Sequence, residues 1–363
     1  MRWRSRFVLL WGALSAGATS ALAQVAVVQI GNASFSSGSS AAPITIDYFD
    51  PTSANQPSPL SALSIASSGN SALTLSGADY EGSLVTAPDG GLVLGGYRAP
   101  AGTSFIVGSS SLVAPRAIAT VHGSTVTLAA NFGTSGTNDY SSNAFHGGMT
   151  DGSGHFWGAA NSKGTILANG GSNVVIQSSL VNTRSLEIVG GNLYFSTISG
   201  TPARGIYSLG PTASAVAAAS PTQVIPTGSS SSPVEFEVNS AQTTAYVADD
   251  RPSLQVPHTG AGIQRFDKVG GNWVLTYTLE LDPAGTVGAH GLAVDWSATS
   301  PLLYASTTDN RLIRIQDLGL ASPVITLSTA PTHTIFAGVE LVPEPAGLSI
   351  LLMGACAMRR RRA

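Results

Sequence analysis

The sequence predicts an all-β protein, and within that class a β-propeller of seven blades. Three observations carry this expectation. Only 10% of the 363 residues are charged while 43% are hydrophobic and 41 are glycine, a composition that can fill a core without favouring helices. One pattern recurs along the chain: an apolar strand, a turn of Gly, Asp or Asn, and a second apolar strand. No stretch of helical periodicity separates these units, so the sheets must pack on one another.

The clearest unit is GSLVTAPDGGLVLGGY, residues 82–97, where Pro88-Asp89-Gly90-Gly91 turns between two apolar runs. Five more follow at 115–133, 145–160, 183–200, 233–250 and 289–309. Further strand pairs lie at 164–179 and 262–282, the second turning on Gly270-Gly271-Asn272. Each unit with a neighbouring pair makes a four-stranded blade. The segment 332–343 offers one inner strand and then stops. The segments 25–31 and 44–51 are strands with no inner partner nearby. Joining the N-terminal strands to the last C-terminal strand closes the ring as the seventh blade and removes open sheet edges. The serine-rich stretches SSGSSAAP and PTGSSSSP read as exposed loops. A β-solenoid or tandem sandwiches are the alternative folds; a solenoid should show shorter and more regular repeats.

The two ends read as addresses. Residues 1–23 carry Arg2, Arg4 and Arg6, an apolar run from Phe7, and Ala21-Leu22-Ala23 before Gln24, the three parts of a secretory signal peptide. Residues 343–363 carry Pro343-Glu344-Pro345, an apolar run of 13 residues from Ala346 to Met358, and Arg359, Arg360, Arg361 and Arg362. As a helix that run reaches ~20 Å, a marginal membrane span whose arginines stay on the cytoplasmic side. The middle, 24–342, is the propeller domain. Without the seven terminal arginines and Glu344 it carries roughly −9, which argues against nucleic acid as a partner. The only cysteine, Cys356, lies in the tail, so the folded domain has no disulfide and no thiolate chemistry.

The order of Pro-Glu-Pro, apolar helix and arginine cluster closely resembles the PEP-CTERM sorting signal of Gram-negative bacteria. The resemblance implies recognition by an exosortase at Pro343, Glu344 and Pro345, removal of the tail, and delivery to the outer cell surface or extracellular matrix. Signal peptidase would act after Ala23. Contact with the inner membrane would be transient. The strand-rich middle also looks like the propellers found bearing such tails.

Chemistry is sparse. There is no HExxH, no CxxC, no G-x-S-x-G and no EF-hand loop. His146 and His290 stand out because each begins an expected innermost strand, in FHGG and AHGL, and such strands line the channel of a propeller. Asp151 and Asp295 follow along the same strands. These four are the candidate metal ligands, and the two histidines the candidate catalytic groups. Metal-dependent propeller lactonases and lyases place their chemistry at such strand starts. The bland reading is that both histidines hydrogen-bond backbone near the channel. A structural calcium is the other candidate ion, at 137–143 or 151–155, although turn chemistry explains those Asp and Asn residues equally well. No cofactor motif is present. Glu235 and Glu237 share one face of a strand, and are expected on its solvated outer side. Trp157, Trp273 and Trp296 read as packed between blades. Tyr80, Tyr97 and Tyr140 fall near loops, where a sugar could stack.

The sequence therefore points to an exported surface or matrix propeller, a non-catalytic binding or structural protein whose partner is an exopolysaccharide or another envelope protein. The alternative is a hydrolase or lyase with a metal in the central channel.

Overall fold

The computed structural model describes residues 23–34, 38–77, 80–133, 139–169, 172–199, 204–251 and 261–342. The segment expected to be a sorting tail (Pro343, Glu344, Pro345 and Arg359 to Arg362) and all of the expected leader except Ala23 lie outside these residues. Gln24–Val342 forms one compact unit. No described helix is long and apolar enough to cross a membrane.

The described residues form 24 strands and one short 3-10 turn, arranged as six sheets of four antiparallel strands. Blade I holds β4 (Leu84–Thr86), β5 (Leu92–Tyr97), β6 (Arg116–His122) and β7 (Thr125–Phe132). Blade II holds β8 (Phe145–Thr150), β9 (Phe156–Ala160), β10 (Thr165–Asn169) and β11 (Ser172–Gln177). Blade III holds β12 (Thr183–Val189), β13 (Asn192–Thr197), β14 (Gly205–Pro211) and β15 (Thr222–Pro226). Blade IV holds β16 (Pro233–Val238), β17 (Thr244–Asp249), β18 (Gly262–Val269) and β19 (Asn272–Leu279). Blade V holds β20 (Ala289–Asp295), β21 (Leu302–Thr307), β22 (Arg311–Gln316) and β23 (Val324–Thr329). Blade VI combines both ends of the domain: β24 (Ile335–Val342) pairs with β1 (Gln24–Ile30), followed by β2 (Ile44–Phe49) and β3 (Ser61–Ser64).

The ring closes as expected, by antiparallel pairing of β1 with β24 from Gln24–Val342 to Ile30–Ile335. The blade count differs. The sequence predicts seven blades and the structure has six. The units at 82–97 and 115–133 are two halves of one sheet, with Tyr97 paired to Arg116 across an 18-residue connection. Hairpin periodicity alone cannot distinguish an inner pair of strands from an outer pair.

Turn chemistry explains the hairpins locally. Gly190-Gly191 and Gly270-Gly271 both have positive φ at the two central positions, the conformation that a two-residue turn needs and glycine adopts without steric cost. The core lies in the seams between blades. Ile206 and Ile225 of blade III meet Phe236, Val247 and Phe266 of blade IV. Val25 and Phe49 of blade VI meet Tyr304 and Leu312 of blade V. Both faces of a middle strand are thus covered, which is why β5 is buried along its whole length.

Candidate functional site at the channel mouth

All six innermost strands run in the same sense, so their first residues gather at one mouth of the channel. Four of these strands carry a register irregularity at that end, between Phe145 and Gly147, Thr183 and Leu186, Pro233 and Phe236, and Ala289 and Leu292. The residues inside the irregularities include His146, Arg184, Glu235 and His290. Bulges re-aim side chains, and here they turn four polar groups toward the axis.

The axis is nearly closed. Ser83, Gly147, Ser185, Glu235, Gly291 and Gly338 meet around it. A Cβ on Gly338 would lie 2.2 Å from the Leu84 nitrogen, and one on Gly291 would lie 2.5 Å from the Ala337 oxygen. Ser83 Oγ donates to Ser185 Oγ at 3.3 Å. Glu235 fills the remaining space. Its carboxyl oxygens accept the backbone N–H of Leu84 at 3.2 Å, of Leu292 at 2.8 Å and of Val339 at 3.5 Å, so one side chain of blade IV holds blades I, V and VI. Burial pushes the Glu235 carboxyl up to about 8, although these amides pull the other way.

Arg184, 1% exposed, lies above this plug. Its Nη1 donates to Ser232 Oγ at 2.9 Å, to the Pro233 carbonyl at 3.4 Å and to Asp250 Oδ1 at 3.4 Å. The ring of Tyr80 stacks over the guanidinium with 3.3 Å from Cζ to the ring centroid. Tyr80 also meets the imidazoles of His146 and His290 edge-on, at 6.1 and 6.4 Å between ring centres. His146 is buried, and its Nδ1 lies 2.7 Å from the Thr183 carbonyl, which makes Nδ1 the protonated nitrogen and leaves Nε2 an acceptor. Burial lowers its pKa to about 4; the Thr183 bond opposes this shift and the Arg184 charge adds to it, so the imidazole is neutral near pH 7. His290 Nδ1 lies 3.5 Å from Asp250 Oδ2. A cavity of about 60 Å³ remains between Tyr80, Glu81, Ser83, Glu235, His290 and Phe336. Glu81 is anchored beside Tyr80: Oε2 accepts from Ser76 N at 2.7 Å and Oε1 from Tyr97 Oη at 2.5 Å.

Further from this mouth, Glu187, Glu237 and Glu340 are half-buried, two residues beyond Ser185, Glu235 and Gly338. Burial raises all three carboxyls, Glu340 to about 7, and for Glu187 and Glu237 the neighbouring carboxylates raise them further.

The structure brings His146 and His290 together at one mouth but leaves Asp151 and Asp295 at the opposite ends of their strands, ~16 Å away at about 3.3 Å per residue. Among the described residues no group of three or more His, Cys, Asp or Glu side chains could hold a metal ion. Asp151 instead closes its own turn, accepting from Ser153 N at 2.9 Å and lying 2.7 Å from His155 Nδ1. Thr137 and Asn138, in the other calcium candidate, lie outside the described residues. Ala23 is exposed before β1, and Ala21 is outside the described residues. Glu235 and Glu237 correct the expectation of a solvated outer face: β16 is innermost, so their side chains line the channel. Tyr97 and Tyr140 are fully buried and cannot stack on a sugar, whereas Trp157 is packed inside as expected. Tyr80 stands out in the sequence only as a loop aromatic, and Arg184 and Asp250 have no signal in the sequence beyond lying next to strand ends.

No family model and no curated protein matches the sequence. Solved structures resemble the chain at low identity. A chain of the nidogen/laminin complex matches at 13% identity and TM-score 0.47, covering 88% of this chain and 98% of that one. The periplasmic gluconolactonase of Pseudomonas aeruginosa matches at 16% and 0.42, covering 83% and 82%. The GH74 enzyme of Niastella koreensis matches at 16% and 0.44, covering 82% and 46%.

Proposed function

We propose that this chain is an exported, non-catalytic binding protein of the cell surface or extracellular matrix, delivered by its two terminal signals. Its partner is an exopolysaccharide or another envelope component. Signal peptidase and an exosortase process it, and the inner membrane holds it only in passing through the tail. The observation that carries the non-catalytic reading is the filled channel. Glu235 engages three backbone amides, and with Tyr80 in place the 60 Å³ left above it has room for a few waters but not for a sugar ring. His146 and His290 do not share a mouth with Asp151 and Asp295, so these four residues do not form one metal site.

Two measurements test this. In a host that carries an exosortase, intact mass should show an N-terminus at Gln24 and loss of the tail from the Pro343–Pro345 region; an uncut tail would overturn the sorting. Purified protein should not turn over lactones or polysaccharide esters. Steady turnover abolished by replacing His146 and His290 with alanine would overturn the non-catalytic role.

A further inference from the structure

We propose that Arg184 is the receptor for the carboxylate of an acidic sugar, and that the Tyr80 ring occupies its place in the unliganded protein. This rests on the binding reading above and names the ligand chemistry. Buried donors in folded proteins almost always have partners, and one that lacks them calls for an explanation. Arg184 Nη2 is such a donor: it is buried and makes no hydrogen bond, while Nη1 makes three. An aromatic face attracts a guanidinium but offers it no hydrogen-bond acceptor. A carboxylate would supply both charge and acceptors.

Tyr80 is held in place at a cost. Its φ of 72° lies in the left-handed region that non-glycine residues avoid, and Gly77 and Gly82 on either side also have positive φ, at 75° and 85°. Strain of this kind persists where the surroundings impose it, and it points toward function. Among the contacts that impose it are the guanidinium stack and the Glu81 anchor to Ser76 and Tyr97. Swinging the Tyr80 side chain out would uncover the guanidinium together with the rings that it meets edge-on, those of His146 and His290. His146 Nε2 is an acceptor in the neutral ring, suited to a hydroxyl donor. A ligand carrying a carboxylate and a neighbouring hydroxyl matches this set, and uronic acids carry both. Nearby, the Glu235 carboxyl largely keeps its proton near neutral pH, which limits repulsion of an anion.

Calorimetric titration of the full chain with sodium D-glucuronate tests the proposal, with D-glucose as the neutral control. Tyr80→Ala removes the competing ring and should bind glucuronate at least tenfold more tightly than wild type, with no binding of glucose. Arg184→Lys keeps the charge but loses the fork, and combined with Tyr80→Ala should weaken binding at least tenfold. If that variant does not fold, Tyr80→Phe decides: it keeps the ring over the guanidinium and should bind less tightly than Tyr80→Ala. Equal affinity of wild type and Tyr80→Ala, equal binding of glucose, or a gain in Tyr80→Phe as large as in Tyr80→Ala would each overturn the proposal. Turnover of a polysaccharide ester with the predicted glucuronate binding intact would instead sink the non-catalytic reading alone.

Discussion

Glu235 accepts the Leu292 amide at 2.8 Å across the channel, joining two blades through residues 57 apart in the chain. The same carboxyl group reaches Leu84 and Val339, so it is the hub of four blades. Replacing it by glutamine would turn an –NH₂ toward backbone donors. Glu235→Gln should destabilise the domain by about 2–3 kcal/mol, the penalty of unpaired buried groups, read by chemical denaturation. A loss under about 0.5 kcal/mol would show that the hub carries no weight.

Gly338 marks how closely the inner strands approach. Its added Cβ would lie 2.2 Å from the Leu84 nitrogen and 2.4 Å from the Gly82 oxygen, both backbone atoms that cannot step aside. Gly338→Ala should cost about 1–3 kcal/mol or prevent ring closure. Gly38, with nothing within 4 Å of its added Cβ, provides the control: Gly38→Ala should leave Tm unchanged.

The channel carboxyls set a pH dependence. Burial raises Glu235 to about 8 and Glu340 to about 7, and raises Glu187 and Glu237 as well. The folded state therefore binds these protons more tightly than the unfolded chain does. Their contribution to stability is complete below the unfolded value, near 4.5, and is lost as pH rises through 7 to 8. Tm should fall between pH 5 and pH 9, and Glu237→Gln with Glu340→Gln should flatten the slope. A Tm that rises across this interval in wild type would refute the assignment.

Ring closure rests on β24. Removing Ile335–Val342 would leave one edge of β1 unpaired, ready to pair with another chain. The truncated protein should elute as aggregates in size-exclusion chromatography, whereas removal of 343–363 should leave a monodisperse domain.

Much of the architecture was legible in the residues. Period-two apolar runs with glycine turns at Gly90, Gly190 and Gly270 identify hairpins, because strand and turn preferences are local. The shortage of a partner for 25–31 and the surplus strand at 332–343 identified the closure. The blade count was not legible, since a hairpin carries no mark of whether it lies inside or outside its sheet. His146 and His290 were legible as strand starts. Asp151 and Asp295 misled because nearness in sequence along an extended strand means distance in space.

The sequence by itself determined the all-β class, the hairpins and the shared blade made from both ends. Each of these follows from chemistry within a few residues or from the simple supply of strands. Only the tertiary structure decided that there are six blades, that β16 is innermost, and that Glu235 plugs the axis. It alone assembled Tyr80, Arg184, His146, His290 and Asp250 at one mouth. These residues come from separate segments spanning more than 200 positions. Bulges at the strand starts, which depend on how neighbouring blades pack, decide which way their side chains point.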